Sequence, residues 1–327
     1  MSEEKYIPPY TITDKIIGLV AQISERVGAV TLARHDSNPH LRRDSRIKTI
    51  HASLAIENNS LSLDQVTAII NGKRVLGPLD EIREVQNAYE AYNHLLEFDP
   101  YSVEDLLAAH RLLMADLTRE AGRFRSGGVG IFAGEQLVHM APPAARVPEL
   151  VVQLEEWAKG CEAHPLIKSC VFHYEFEFIH PFADGNGRMG RMWQNLLLYQ
   201  WKPMFAWLPV ETLIRERQQG YYDALKLADK ATNSGVFIEF MLQAIADALE
   251  ELSQTAQVRA QVTAQVERLL EVLDDGEFSS AELMEQLGLK HRQSFRNRYL
   301  LPALELGLVE MTIPDKPNSN RQKYRKK

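Results

Sequence analysis

Two cysteines, Cys161 and Cys170, are all that the 327 residues contain. That is too few to staple a secreted scaffold, and no C-x-x-C pair exists for a zinc finger. Both are expected to be reduced thiols that serve packing. Long apolar runs are missing too: no stretch approaches the ~18–20 residues of a membrane span, so no membrane partner is expected. The opening MSEEKYIPPYTITDKIIGLV has acidic residues and prolines where a secretory leader needs a basic end and an apolar run. A cytoplasmic location follows as the expectation. Nor is there an excess of positive charge. Lys and Arg number 37 against 44 Asp and Glu, a net charge of −7, which argues against a chain that coats nucleic acid or a membrane surface along its length. What is present is an ordinary globular composition, 45% apolar and 25% charged, long enough for two or three domains.

Most of the chain has helical period. Ile16, Ile17, Val20 and Ile23 recur at three- and four-residue steps, as do Ile47, Ile50 and Leu54. Ser62 with Gln65 reads as a capping box opening a short helix that Asn71-Gly72 closes. Leu106 to Leu117 marks another helix, Leu150 to Trp157 a further one, and a long apolar helix is expected after Gly190, stopping at Lys202-Pro203. VGIFAGEQLVHMAPPAARV alternates instead, which predicts a β-hairpin over Val129–Met140 with its turn at Gly134-Glu135. Near Glu250 the composition shifts. ELSQTAQVRAQVTAQ reads as a connecting helix, followed by a separate unit with helices over Val262–Leu273, Ser280–Leu287 and Ser294–Leu306. From Lys290 onward ten Lys/Arg face Glu305, Glu310 and Asp315, a local +7 within an acidic chain.

The segment that carries chemistry is HPFADGNGRMGR, His180–Arg191. Pro181 and the run Asp184-Gly185-Asn186-Gly187 read as a tight loop feeding a helix N-terminus. Glycines there let backbone N–H groups converge, and the helix dipole adds partial positive charge, which suits a polyanionic phosphate. Arg188 and Arg191, three apart, project on one side of the first turn. Asp184 offers one carboxylate, and a carboxylate plus phosphate oxygens is how Mg²⁺ is usually held. His180 titrates near neutrality and can take a proton from an attacking hydroxyl. These are the parts of phosphoryl or nucleotidyl transfer. No Lys-Ser/Thr follows the glycines, so the loop is not a Walker motif. For the neighbouring His173, a core role is the simpler reading.

HPFADGNGRMGR resembles the signature of the Fic family, His-x-Phe-x-Asp/Glu-Gly-Asn-Gly-Arg-x-x-Arg, at every fixed position. The resemblance implies an all-α Fic fold and transfer of AMP from ATP to a hydroxyl of a target protein. It makes His180 the base and Asp184 the Mg²⁺ ligand. Gly185, Asn186 and Gly187 would hold the α-phosphate, Arg188 and Arg191 the outer phosphates, and Phe182 would anchor the loop. Three further stretches gain meaning from it. Ser53-Leu-Ala-Ile-Glu57-Asn58-Asn59 resembles the family's inhibitory motif, in which a glutamate, here Glu57, pairs with the second arginine, here Arg191. The hairpin would be a flap that holds a target segment by strand addition. The tail resembles a winged helix, with Ser294–Tyr299 opening a helix that DNA or a protein could meet. Tyr222 is a candidate for the adenine pocket, against core packing as the plainer role. The expected organisation is an N-terminal helical region carrying the brake over 1–99, a Fic core over 100–250, and a linker helix with the winged helix over 251–327. Rival functions are removal of AMP by the same site and a nucleotide-sensing DNA-binding regulator. Self-association is left open.

Overall fold

Two helices buried on nearly every side frame the centre of the molecule. α7 (Pro165–Ile179) sets Phe172 and Phe176 on one side and His173, Glu175 and Glu177 on others, all inside. Following it after the loop 180–185, α8 (Asn186–Trp201) buries Met189, Met192, Trp193 and Leu196 completely. A helix apolar around most of its circumference must be covered by others, and the remaining helices supply that cover. In this computed structural model the described residues are 6–32, 39–128, 130–133, 136–273, 276–317, 319 and 321–327. They divide into two compact units, one ending at Glu250 and one beginning at Glu251.

The first unit runs α1 (Asp14–Leu32), α2 (Pro39–Ile56), α3 (Leu63–Ile70), α4 (Leu79–His94), α5 (Val103–Leu113), strands β1 (Gly130–Ala133) and β2 (Gln136–Met140), α6 (Val147–Gly160), α7, α8, α9 (Val210–Glu216), α10 (Gln218–Ala231) and the first part of α11 (Gly235–Val272). α3 has the caps its sequence promised: Ser62 accepts from the Gln65 N–H, Gln65 answers on the Ser62 N–H, and Asn71 caps the other end. One core joins Ile47, Ile50 and Leu54 of α2 to Leu106 of α5, Phe176 of α7 and Trp193 of α8, so the N-terminal helices and the motif share an interior. α5 stops at Leu113, and Leu117 lies beyond it. The hairpin is antiparallel, with Gly130 opposite Met140 and a bulge between Ile131 and Phe132; Val129 and the turn Gly134-Glu135 lie outside the described residues.

The connecting helix and the expected helix over Val262–Leu273 are one continuous helix, α11, of 38 residues. No Gly or Pro interrupts it, so nothing in the backbone required a break. In the second unit β3 (Phe278–Ser279), α12 (Ser280–Gln286), α13 (Arg292–Phe295), a wider π-type turn through Leu300, α14 (Leu301–Glu305), β4 (Val309–Met311) and β5 (Lys323–Lys326) follow in order. The sheet order β3-β5-β4, all antiparallel, with helices between the first two strands, is winged-helix topology. Among the described residues no helix is long and apolar enough to cross a membrane.

Candidate active site

α8 begins four residues earlier than its composition suggests, at Asn186, capped by Gly185 with φ +83°. Glycines at 187 and 190 lower helix propensity, yet close packing requires them. A Cβ on Gly187 would lie 2.3 Å from Glu57 Oε1, and one on Gly190 would lie 2.8 Å from Glu177 Oε1. The loop His180–Gly185 therefore delivers a helix N-terminus directly into a crowded polar site.

That loop is pinned from several sides. Phe182 is fully buried and stacks on His110 with ring centroids 3.6 Å apart. The Phe182 N–H donates to Asn186 Oδ1 and Asn186 Nδ2 donates to the Phe182 carbonyl, both at 2.9 Å. The resemblance gives the Asn186 side chain to a phosphate, but here both of its polar ends close the loop on itself. His110 Nδ1 accepts from the Gly122 N–H at 2.9 Å, which leaves Nε2 to donate to the Asp184 carbonyl at 3.0 Å. Burial pushes its pKa down to about 4, so it holds the loop as a neutral ring at physiological pH. No local pattern in the sequence marks His110, which acts 74 residues away.

The two motif arginines are both buried and both engaged by the N-terminal region. Arg188 donates to Glu84 Oε1 at 2.7 Å and to Asp184 Oδ1 at 3.0 Å. The second oxygen of Glu84 accepts from Asn59 Nδ2 at 2.8 Å. Arg191 donates through Nε to Ser53 Oγ at 3.1 Å and through Nη2 to the Ser53 carbonyl at 2.9 Å and to Glu57 Oε1 at 2.8 Å. Ser53 lies on the last turn of α2; Glu57 follows the helix end, where Asn58 turns left-handed with φ +69°. Burial alone would draw protons off Arg191, but Glu57 first, then Tyr221 and Glu177, hold it above its ordinary value. Its Nη1 has no hydrogen-bond partner, an unfilled buried donor aimed where an anion could accept.

A cavity of about 500 Å³ lies over this group and is lined by His180, Gly187, Arg191, Glu57, Glu177 and Tyr222, among others. His180 caps the end of α7 in the left-handed region, φ +50°. Tyr222, on α10, donates its hydroxyl to the Ile56 carbonyl at 3.3 Å beside Gln218 at 2.8 Å, so it faces the cavity while tying down the end of α2. Glu177 was not anticipated. Burial pushes its carboxyl up, but His173, His180 and Arg191 outweigh that and keep it low. His173 is fully buried, donates from Nδ1 to Gln194 Oε1 at 2.6 Å, and meets the Tyr221 hydroxyl at 3.1 Å; it supports the site from behind. Asp184 is the exposed member, its side chain 63% open to solvent. Among the described residues no cluster of three His, Cys, Asp or Glu could hold a metal by itself. A Mg²⁺ ion here would need Asp184 together with a ligand's phosphates, the ordinary manner for that ion.

Comparison with known proteins agrees with this geometry. Residues 100–198 match the Fic/DOC family and 264–326 the C-terminal domain of Fic-like proteins (filamentation induced by cAMP). A Fic family protein of Desulfovibrio desulfuricans G20, known from a crystal structure, is 57% identical over 98% of both chains, with a TM-score of 0.77. The chain belongs to the Fic family. A fragment of Fic-1 from C. elegans, 21% identical over 75% of this chain and 72% of that one, shares the fold with a TM-score of 0.60. The protein adenylyltransferase Fic of Drosophila erecta is 29% identical over 61% of this chain and 41% of its own length. That of Drosophila mojavensis is 27% identical over 79% and 51%. The chain thus spans about half or less of the curated relatives it matches.

Proposed function

We propose that this Fic protein transfers AMP from ATP to a hydroxyl side chain of another protein and that Glu57 restrains the reaction. The observation that carries the reading is one cavity into which a histidine, a helix N-terminus and a buried arginine with an unfilled donor all open. The names of the relatives, protein adenylyltransferases, point the same way. His180 takes the proton of the attacking hydroxyl as its oxygen bonds the α-phosphorus and the α–β anhydride breaks, releasing pyrophosphate. The N–H groups of α8's first turn and Arg191 hold the phosphate charge. Tyr222 walls the side on which the base rests. Asp184 would hold Mg²⁺ together with the nucleotide, and the ion would supply neutralisation of charge developing on the phosphates.

Glu57 occupies the guanidinium that an outer phosphate needs. A brake leaving about 1% of molecules competent needs roughly 2.7 kcal/mol. The Glu57 side chain is 32% exposed, so its pair with Arg191 is screened and worth less than the ~3–5 kcal/mol of a fully buried one. The hairpin β1–β2 is two-stranded, leaving outer edges on which an extended target segment can pair. α-Labelled ATP with the Glu57→Gly protein tests the reading: label on protein supports it, and no label under any Mg²⁺ concentration overturns it. Release of AMP from a labelled protein, with none attached, would give the site to the reverse reaction.

A second role rests on a separate observation. α13 and the π-type turn after it bury Phe295 and turn Arg292, Gln293, Arg296 and Asn297 to solvent. None of Arg292, Arg296 and Arg298 meets a carboxylate among the described residues. We assign this face and the basic end Lys323–Lys327 to duplex DNA, with arginine, glutamine and asparagine at base edges and lysines on phosphates.

A further inference from the structure

Arg125 sits between α5 and the hairpin, 3% exposed, and no motif includes it. Among the described residues its guanidinium meets only carbonyl oxygens. Nε donates to His180 at 2.7 Å, Nη2 to Ile179 at 3.2 Å and to Pro142 at 2.6 Å, and Nη1 to Gly127 at 2.9 Å. Its own backbone N–H donates to the Pro181 carbonyl at 3.0 Å. Two of these groups, Ile179 and His180, end α7, where carbonyls lack helical partners and carry the negative end of the dipole. The other two, Gly127 and Pro142, stand just outside β1 and β2, at the two feet of the hairpin.

We infer that Arg125 is a positioning residue that fixes the hairpin against the backbone of His180, so that a hydroxyl delivered along the strand edge arrives in register with the base. The inference rests on the transfer reading above. His180 is a non-glycine residue at φ +50°, a conformation that costs about 1–3 kcal/mol and persists only when its surroundings over-determine it. Arg125 supplies that constraint from both sides of the residue, at the carbonyls of 179, 180 and 181. The direction of the imidazole follows from its backbone torsions, and the same planar fork sets the distance to the hairpin feet. Lysine keeps the charge but not the fork: one ammonium cannot reach four carbonyls spread across two segments. A displacement near 1 Å between nucleophile and base is enough to cost about 10²-fold.

The test compares Glu57→Gly with Glu57→Gly/Arg125→Lys in the full chain. Label transfer from α-labelled ATP, ATP affinity by calorimetry and hydrogen exchange of segments 126–142 and 180–185 are measured on both. The expected result is a 10- to 100-fold fall in kcat with ATP affinity within about twofold, and faster exchange in both segments together. Equal kcat in the two proteins, or faster exchange in one segment only, overturns the inference. A proportional loss of ATP affinity would make Arg125 a general structural residue and overturns it as well. If Glu57→Gly alone transfers no label, the transfer reading fails, while coupled exchange still decides whether Arg125 joins hairpin to histidine. Should Arg125→Lys unfold, Gly127→Pro, which leaves the guanidinium in place and stiffens one foot, is expected to alter exchange at 180–185.

Discussion

The motif arginines of the first compact unit and three arginines of the second are used in opposite ways. In the first, Arg188 and Arg191 are buried and already held by Glu84, Asp184 and Glu57. In the second, Arg292, Arg296 and Arg298 stand in solvent on one helix with no carboxylate against them among the described residues. A buried guanidinium cannot be left without compensation, so a site meant for an external anion must carry an internal one until the ligand comes. An exposed guanidinium is compensated by water and salt, and its ligand competes with small ions instead. The first arrangement yields a site that can be locked by its own chain; the second yields binding set by the medium.

The most damaging change to the first arrangement leaves its ion pairs untouched. His180→Ala should lower transfer by ~10²–10⁴-fold while ATP affinity persists, measured by label transfer and calorimetry on the Glu57→Gly background. Near-normal transfer would leave the buried arginines without a reaction to serve. In the second unit, DNA retention should fall by about 10²–10³-fold between 50 and 200 mM salt for four to six phosphate contacts. Lys326→Ala with Lys327→Ala, two phosphate contacts, should cut the logarithmic salt slope by about 2. Retention insensitive to salt would erase the contrast. Glu57→Gly should raise self-labelling by about 10- to 100-fold, whereas Arg191→Ala should not, because the nucleotide wants the same guanidinium. Equal gains from both would mean that charge competition is not the lock.

The smallest effect concerns a carboxyl that meets no cation among the described residues. Glu155, 4% exposed, is pushed up to about 8 by burial and then by Asp99 and Asp105. Its unfolded counterpart ionises near 4.3, so between about pH 4.3 and 8 the folded state holds the extra proton and stability declines as pH rises. Glu155→Gln should flatten that decline and raise Tm by a few degrees at pH 8 relative to the unchanged protein. Parallel Tm–pH curves for the two proteins would refute this assignment.

Local signals account for what the sequence disclosed. The Ser62–Gln65 cap, the alternation of the hairpin and the fixed spacing of HPFADGNGRMGR each lie within a few residues, where periodicity and capping chemistry act. Ser53 and Glu57, four apart, could be read as one face. Partners at long separation were invisible: Glu84 to Arg188 spans 104 residues and Arg125 to His180 spans 55, and nothing in either neighbourhood announces the other. The start of α8 was misjudged for a related reason. Glycine weakens a helix locally, but Gly187 and Gly190 are placed by what presses on them from α2 and α7, a tertiary demand that overrides propensity.

The pairing of Glu57 with Arg191 depends on volume as well as charge: it needs a vacancy the size of one methyl group at Gly187, since a Cβ there would press on Glu57 Oε1. A single methyl is therefore a wedge that expels the carboxylate without altering any charge. On the proposed reading, the same small volume beside α8's first turn has to admit a phosphate in one state and the Glu57 carboxylate in the other, so bulk at 187 would disturb both.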